Sequence, residues 1–390
     1  MTSQVMNQHG LLPNLLRNRV SSGELALTFP SGRSVRLSGK SGGRMAAMTV
    51  REWRALPRMV ARGSVGFAEG YVNGEWDTPS LPDLLYFFAE NLQPLGRLVN
   101  GFAPLRWIDR ALHARNRNSI NGSQKNIAFH YDLGNRFYEQ WLDSSMSYSS
   151  GIFELGDDLQ TAQRRKLERL CRTAKVEGGH NVLEIGCGWG GLLEHLGERG
   201  IAAEGVSVSA EQVAFARERV RDYAGVDAAY RDYREVSGSY DRILSVEMFE
   251  AVGQEYWDTF AERVARLLKP DGMAGRQVIT IDEQAFDAYR ARPDCIQQSV
   301  FPGGMLPTVT HLRELFPRHG LRVADLYRFG QDYATTLRMW RERFAANWQS
   351  ICKEGFDERF FRMWNYYLAY CEAAFRVGRT DVVQLRLERI

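Results

Sequence analysis

Apolar and polar residues alternate over residues 25–37, with a break at Pro30-Ser31-Gly32. That pattern predicts a β-hairpin. Residues 1–24 are polar and expected to be loosely held. Residues 48–76 read as a small mixed module, and 81–92 as a proline-bounded helix. From Asn181 the pattern becomes a regular alternation of short apolar runs and amphipathic stretches. Strands are expected at 181–185, 202–208, near 228–230, at 242–246 and at 273–281. A helix is expected at 256–268, and Lys269-Pro270-Asp271-Gly272 as a turn. Such alternation predicts a mostly parallel sheet with helices on both faces. Ligands then gather at the carboxyl ends of the strands.

Residues 286–307 interrupt the alternation. The segment is aromatic, marked by Gly and Pro, and longer than a typical connection, as lids and substrate channels often are. Residues 335–375 read as helical and dense in Trp and Tyr, an aromatic stripe of the kind that forms core. The expected division is a small N-terminal module with a basic connector over 1–110, then an α/β domain over 111–390. That domain carries an insertion at about 284–310 and C-terminal helices.

Composition narrows the class. The 390 residues are 44% apolar and 25% charged, as in a globular protein, and the net charge is only +3. The charge is uneven: from Arg97 to Lys125 there are six Lys or Arg residues and one acid, Asp109. Leu98, Val99, Phe102, Leu105, Trp107, Ile108 and Leu112 are interleaved with them. Basic and apolar residues mixed in this way suit an anionic bilayer surface or a solvated connector. No nucleic-acid module accompanies the patch, so nucleic acid is not an expected partner. No run of 18 apolar residues exists and the N-terminus lacks a signal-peptide core. Five scattered cysteines without metal spacing fit free thiols in a reducing cytoplasm.

The densest chemical signal is Asn181-Val-Leu-Glu-Ile-Gly-Cys-Gly-Trp-Gly-Gly191. A strand runs into a glycine turn and then a helix, the opening of a nucleotide-binding unit. Glycines let backbone approach a ligand closely. Glu184 stands just before the turn. A carboxylate there suits the amino group of S-adenosylmethionine and repels a pyrophosphate. A dinucleotide-binding unit needs an acid near the end of the second strand. That place holds Ser207, and Ser209 with Gln212 form a capping-box pattern for the next helix.

Further blocks follow in order. They are Phe129-His130-Tyr131-Asp132-Leu133-Gly134-Asn135, Tyr148-Ser149-Ser150, residues 182–191, residues 205–212, Asp232-Tyr233-Arg234, Ser245-Val246-Glu247-Met248-Phe249-Glu250, Phe301-Pro302-Gly303-Gly304 and Phe329-Gly330-Gln331-Asp332-Tyr333. Together they resemble the cyclopropane-fatty-acyl-phospholipid synthases and their mycolic-acid relatives, from about Ala61 to near the C-terminus. The resemblance implies a Rossmann-like class I methyltransferase acting on unsaturated acyl chains of membrane phospholipids, with a small lipid-facing N-terminal module. It implies that Tyr148 and Ser149 close over the methionine part of S-adenosylmethionine. Gly186 and Gly188 would approach it by backbone, and Ser207, Val208 and Gln212 would surround the ribose. Asp232 and Tyr233 would meet the adenine.

An isolated alkene is a weak nucleophile, so positioning and a dry site must do most of the work. Methyl transfer leaves a carbocation in the lipid, which aromatic faces stabilise without attacking. Tyr333, Phe249 and Phe301 are the candidates, with Gly303 beside them in the substrate region. A base then removes a proton. Loss from the new methyl closes a cyclopropane, the expected product. Loss from elsewhere leaves a branched chain, the alternative.

The resembling synthases hold a bicarbonate as base with a Cys, a Glu, a His and a Tyr. The Glu and Tyr match Glu250 and Tyr333. Ser150 stands for the Cys and Gln277 for the His. The residue three before Glu250, commonly Gly, is Glu247. Either Ser150 and Gln277 still hold bicarbonate, or the Glu247 carboxylate takes its place as proton acceptor. His311 and His319 are expected in exposed turns. The expected setting is the cytoplasmic face of the membrane, with a homodimer gaining avidity from two membrane-facing surfaces. Against these stands a non-catalytic lipid-binding protein, which the intact Glu184, glycine loop, Glu250 and Tyr333 disfavour.

Overall fold

A computed structural model describes residues 19–99, 133–291 and 303–390. The basic connector beyond residue 99, His130 and Phe301 lie outside the described residues. The chain divides into two compact units, Met1–Ala111 with Gly355–Val377, and Leu112–Glu354 with Gly378–Ile390.

In the first unit the hairpin pairs β1 (Ser22–Thr28) with β2 (Ser34–Ser38) antiparallel. Its turn closes by Gly32 N–H to the Phe29 carbonyl at 2.9 Å, with Gly32 at φ +81°. β3 (Ser41–Val50) returns parallel to β1, and β4 (Trp76–Asp77) completes a sheet of order β2-β1-β3-β4. Helices Ala55–Val72 and Leu81–Glu90 accompany it. Helix Leu92–Val99 follows, and a further helix, Glu358–Arg376, arrives from far along the chain. The Arg362 guanidinium lies 4.0 Å from the Tyr71 ring and donates to the Tyr71 carbonyl at 2.6 Å. The aromatic stripe is core, as its spacing suggests. Trp364, Tyr366 and Tyr367 are buried, but within this first unit, not among C-terminal helices of the second.

The second unit holds a seven-stranded sheet of order β10-β11-β9-β8-β5-β6-β7. In chain order these are β5 (Asn181–Ile185), β6 (Ala202–Ser207), β7 (Val226–Tyr230), β8 (Tyr240–Val246), β9 (Leu268–Ile281), β10 (Leu321–Arg328) and β11 (Thr380–Arg389). β9, β8, β5, β6 and β7 are parallel, and β11 pairs antiparallel with β9 and β10. Central strands buried on both faces read as apolar runs. Successive residues still split by face: Leu183 and Ile243 join one core cluster, Val182 and Leu244 the other. Helix Trp257–Leu267 packs in the first cluster. Helices Leu159–Thr173, Gly191–Gly197 and Ala210–Val220 pack in the second.

Two expectations need correction. Residues 269–272 lie inside β9, where the register with β8 jumps from Tyr240↔Leu268 to Arg242↔Met273. The Pro-Asp-Gly signal therefore makes an irregularity within a strand. The helical stretch 335–375 is three helices, Gly330–Ala346, Trp348–Lys353 and Glu358–Arg376.

Candidate active site

The glycine turn follows β5 and needs its glycines. Gly186 sits at φ +86°, and a Cβ there would come 2.7 Å from Met248 Cγ. Gly188, at φ +52°, faces open space. Glu184 is 3% exposed, and its Oε2 has no hydrogen-bond partner among the described residues. Burial pushes its carboxyl up to about 8, and the Lys166 charge pulls it back. A buried acceptor beside an open glycine turn fits the α-amino group of S-adenosylmethionine, which would supply the missing donor. A Ser207 Oγ–Gln212 Oε1 bond at 3.1 Å and the half-buried Val208 define the β6 end. Ser209 caps the next helix by accepting from Gln212 N–H, but the Gln212 side chain turns to Ser207, so only half of the capping box forms.

At the β7 end Asp232 is occupied by the neighbouring arginine. Arg234 donates from Nε to Asp232 Oδ1 at 2.8 Å and from Nη2 to Oδ2 at 2.6 Å. Tyr233 is half-buried, and its hydroxyl, raised by burial to about 12, has no described partner. Tyr148 sits in an aromatic cluster, 5.3 Å from Trp340 and 5.5 Å from Tyr138 between ring centres.

The base candidates converge at the carboxyl ends of β8 and β9. Glu247 follows β8 with φ +50°, the left-handed region that L-residues avoid. Its N–H donates to the Gln277 carbonyl at 2.9 Å. Its Oε1 accepts from Gln277 Nε2 at 2.7 Å and from Ser150 N–H at 3.0 Å. Its Oε2 accepts from the Tyr333 hydroxyl at 2.5 Å. Burial raises the Glu247 carboxyl, while the Tyr333, Gln277 and Ser150 donors and the Lys166 charge oppose the shift. Ser150 is placed by its backbone: its N–H meets Glu247, and its hydroxyl donates to the Gly151 carbonyl at 2.8 Å.

Glu250 stands one short helical turn further on. Its Oε1 accepts from Ile279 N–H, and its Oε2 has no partner among the described residues. Burial and the Glu247 charge push it up to about 8. Its carbonyl accepts from Met305 N–H at 2.8 Å, which ties the end of the insertion to this corner. Gly303, at φ +79°, lies two residues before that contact.

Phe249 does not face a substrate. It is fully buried, with Trp257 stacked at 5.5 Å and the Arg276 guanidinium 4.9 Å from its ring centre. Phe249 is part of the core cluster beside helix Trp257–Leu267, with no exposed surface to offer a lipid cation. His311 is not in an exposed turn: it shares a capping box with Thr308 and packs 4.3 Å from the Phe286 ring. His319 is partly buried and pairs through Nε2 with Asp258 Oδ1 at 2.9 Å.

Four buried polar residues escaped the sequence reading. Lys166, 1% exposed, donates from Nζ to Ser149 Oγ at 2.6 Å. Burial lowers its ammonium to about 8, and Glu247, Asp143 and Glu184 hold it up. Gln163 Nε2 donates to the Ser149 carbonyl at 2.7 Å. Gln384 joins Gln277 at 3.0 Å. Arg276 is 2% exposed, and none of its three nitrogens has a partner among the described residues. It lies among Phe260, Phe249 and Phe316, lowered to about 9 by burial.

Comparison with known proteins identifies the family. Residues 118–385 match the family model described as mycolic acid cyclopropane synthetase. Tuberculostearic acid methyltransferase UfaA1 of Mycobacterium tuberculosis is 37% identical, across 96% of this chain and 90% of that protein. Cyclopropane-fatty-acyl-phospholipid synthase of Escherichia coli K12 is 35% identical, across 90% of this chain and 89% of its own length. The crystal structure of mycolic acid cyclopropane synthase CmaA1, complexed with SAH and CTAB, superposes with a TM-score of 0.64 at 26% identity, covering 68% of this chain and 98% of that one. The chain therefore belongs to the mycolic acid cyclopropane synthetase family of S-adenosylmethionine-dependent methyltransferases.

Proposed function

We propose that this enzyme adds the one-carbon unit of S-adenosylmethionine to the cis double bond of an unsaturated phospholipid acyl chain, and that Glu247 accepts the proton released. The observation that carries this is the Glu247 carboxylate itself. It takes donors from Ser150, Gln277 and Tyr333, the positions that the resembling synthases turn toward bicarbonate. It does so from a backbone conformation that costs an L-residue about 1–2 kcal/mol. Strain kept at a buried polar cluster argues for a use.

When bound, S-adenosylmethionine supplies an electrophilic methyl group. Glu184 offers its unpartnered oxygen to the amino group, and Gly186 and Gly188 admit the rest to the backbone. Ser149 is held by Lys166 at its hydroxyl and by Gln163 at its carbonyl. The two carboxyls then divide the work. Glu250 is pushed up to about 8 and keeps one oxygen without a described partner, whereas at Glu247 three donors oppose the upward push of burial and favour the charged form. A carboxylate whose raised pKa makes it a stronger base, held in place by three donors, accepts the proton that the carbocation must lose.

Ring closure to a cyclopropane is the first reading of the product, supported by the Escherichia coli relative. Methyl or methylene branching is the second, supported by the tuberculostearic acid methyltransferase and by the altered base site. A phospholipid substrate places the enzyme at a membrane surface, and no helix among the described residues is long and apolar enough to cross one.

The test is to incubate purified protein with S-adenosylmethionine and vesicles of a monounsaturated phospholipid, then examine the fatty acids by mass spectrometry and proton NMR. Gain of one CH2 with cyclopropyl protons establishes ring closure. The same gain with vinylidene protons establishes branching. No gain, with S-adenosylmethionine bound, overturns the proposed substrate.

A further inference from the structure

Gln384 lies on the C-terminal strand, far in sequence from the reacting groups. In the β11–β9 pairing it stands directly opposite Gln277, so both side chains project from the same face of the sheet. Both are buried, at 0% and 1% exposure.

Gln384 Nε2 donates to the Lys166 carbonyl and to Gln277 Oε1, each at 3.0 Å. A main-chain carbonyl only accepts, so it fixes which end of the Gln384 amide carries the N–H groups. Both are then spent, and the second claims the oxygen of Gln277. With that oxygen taken, Gln277 Nε2 points the other way and donates to Glu247 Oε1 at 2.7 Å and to the Ser150 carbonyl at 3.2 Å. Every amide end in the chain is therefore determined by an acceptor-only partner.

The alternative is specific. If the Gln277 amide were reversed, its oxygen would face a carboxylate oxygen and the Ser150 carbonyl. Three acceptors would then meet without a proton among them. The Glu247 carboxylate would lose one of its three donors and face a negative dipole.

We propose that Gln384 is a positioning residue for the reaction, setting the orientation of the Gln277 amide and thereby the donor that Gln277 presents to Glu247. The inference rests on the reading of Glu247 as proton acceptor. Gln384 is fully buried behind Gln277, one hydrogen bond removed from Glu247. Its effect on Glu247 passes through Gln277; its other contacts are the Lys166 carbonyl and Arg169, whose Nη1 lies 3.5 Å from Gln384 Oε1.

The test compares Gln384→Glu and Gln384→Met, both close to glutamine in shape. Neither can donate both hydrogen bonds, and an ionised carboxylate at 384 actively claims the N–H groups of Gln277. Thermal melting, KM for S-adenosylmethionine and kcat against pH are measured for each, with Glu247→Gln as the control. The expected result is a loss of kcat of about tenfold to a hundredfold, the range for one unmade buried hydrogen bond. KM for S-adenosylmethionine stays within about twofold, and the acid limb of kcat moves to higher pH because Glu247 holds its proton more tightly. Gln384→Glu loses more than Gln384→Met. A merely structural role would lower the melting temperature of both variants and leave the acid limb in place, which overturns the proposal. So would wild-type kcat and pH dependence in Gln384→Glu. If instead Glu247→Gln itself keeps wild-type turnover, the reading of Glu247 fails, and the Gln384 proposal fails with it.

Discussion

Replacing Glu247 by glycine removes the carboxylate and restores the residue that the resembling synthases commonly carry there. Glycine accepts φ +50° without penalty, so about 1–2 kcal/mol of backbone strain is released. Against this, Ser150 N–H, Gln277 Nε2 and the Tyr333 hydroxyl lose their shared acceptor. A buried donor without a partner costs about 1–3 kcal/mol. Three of them outweigh the strain released, so the empty variant should melt below the wild type. The space left behind is carboxylate-sized, lined by donors, and open to a planar anion such as bicarbonate.

Loss of a positioned base costs a factor of about 10^2–10^4 in rate, or roughly 3–5 kcal/mol at 1.36 kcal/mol per tenfold. The assay is the initial rate of methyl transfer into phospholipid vesicles, in buffer freed of carbon dioxide and then with graded bicarbonate. Glu247→Gly should be nearly inactive in the first buffer and recover saturably in the second, its melting temperature rising with the same bicarbonate dependence. Wild-type turnover by the variant in bicarbonate-free buffer would refute the reasoning. So would an equal response of wild type and variant to bicarbonate.

Other perturbations reach different parts of the site. Glu184→Gln should weaken S-adenosylhomocysteine binding, measured calorimetrically, by at least about tenfold, because the bound ammonium group would favour the charged form of Glu184 and the amide offers it no such charge; unchanged affinity would remove Glu184 from the cofactor site. Glu250 is raised from 4.5 to about 8, so the unfolded chain sheds this proton near 4.5 while the folded chain keeps it to about 8. Its contribution to stability is complete below 4.5 and is lost as pH rises toward 8. Glu250→Gln should therefore lose less melting temperature than wild type between about pH 5 and 8, and an identical slope would contradict the raised value. Arg276→Met removes three buried nitrogens without partners and should raise the melting temperature, by about 1 kcal/mol of stability or more. A fall would mean that the contacts of the guanidinium with Phe260, Phe249 and Phe316 outweigh the cost of burying it.

Much of the second unit could be read from the chain because its signals are local. The glycine turn joins an apolar strand to an amphipathic helix, and Glu184 is placed by that junction alone. Glu247, Glu250, Gln277, Ser150 and Tyr333 come from distant segments, and only the resemblance grouped them; their hydrogen bonds appear only once β8, β9 and the helix Gly330–Ala346 are assembled. Lys166 and Gln163 look like ordinary polar residues of a charged helix. A signal was nevertheless present. Leu159, Ala162, Leu167, Leu170 and Cys171 form the buried stripe of that helix, and Gln163 and Lys166 fall within it. Gln384 and Arg276 likewise interrupt runs buried on both faces of a strand. Pairing of β11 between β9 and β10 depends on long-range register, which no local period encodes. Phe249 shows the opposite failure: its place in the motif suggested the substrate, and the short helical turn after β8 puts it in the core beside Arg276.

The most direct test is turnover of the wild-type enzyme and Glu247→Gln, side by side, on monounsaturated phospholipid vesicles in strictly bicarbonate-free buffer. If Glu247 is the proton acceptor, the wild type runs at its full rate there and Glu247→Gln falls by about a hundredfold or more. A wild-type enzyme that stops until bicarbonate is added, or a Glu247→Gln variant that turns over normally, would contradict the account.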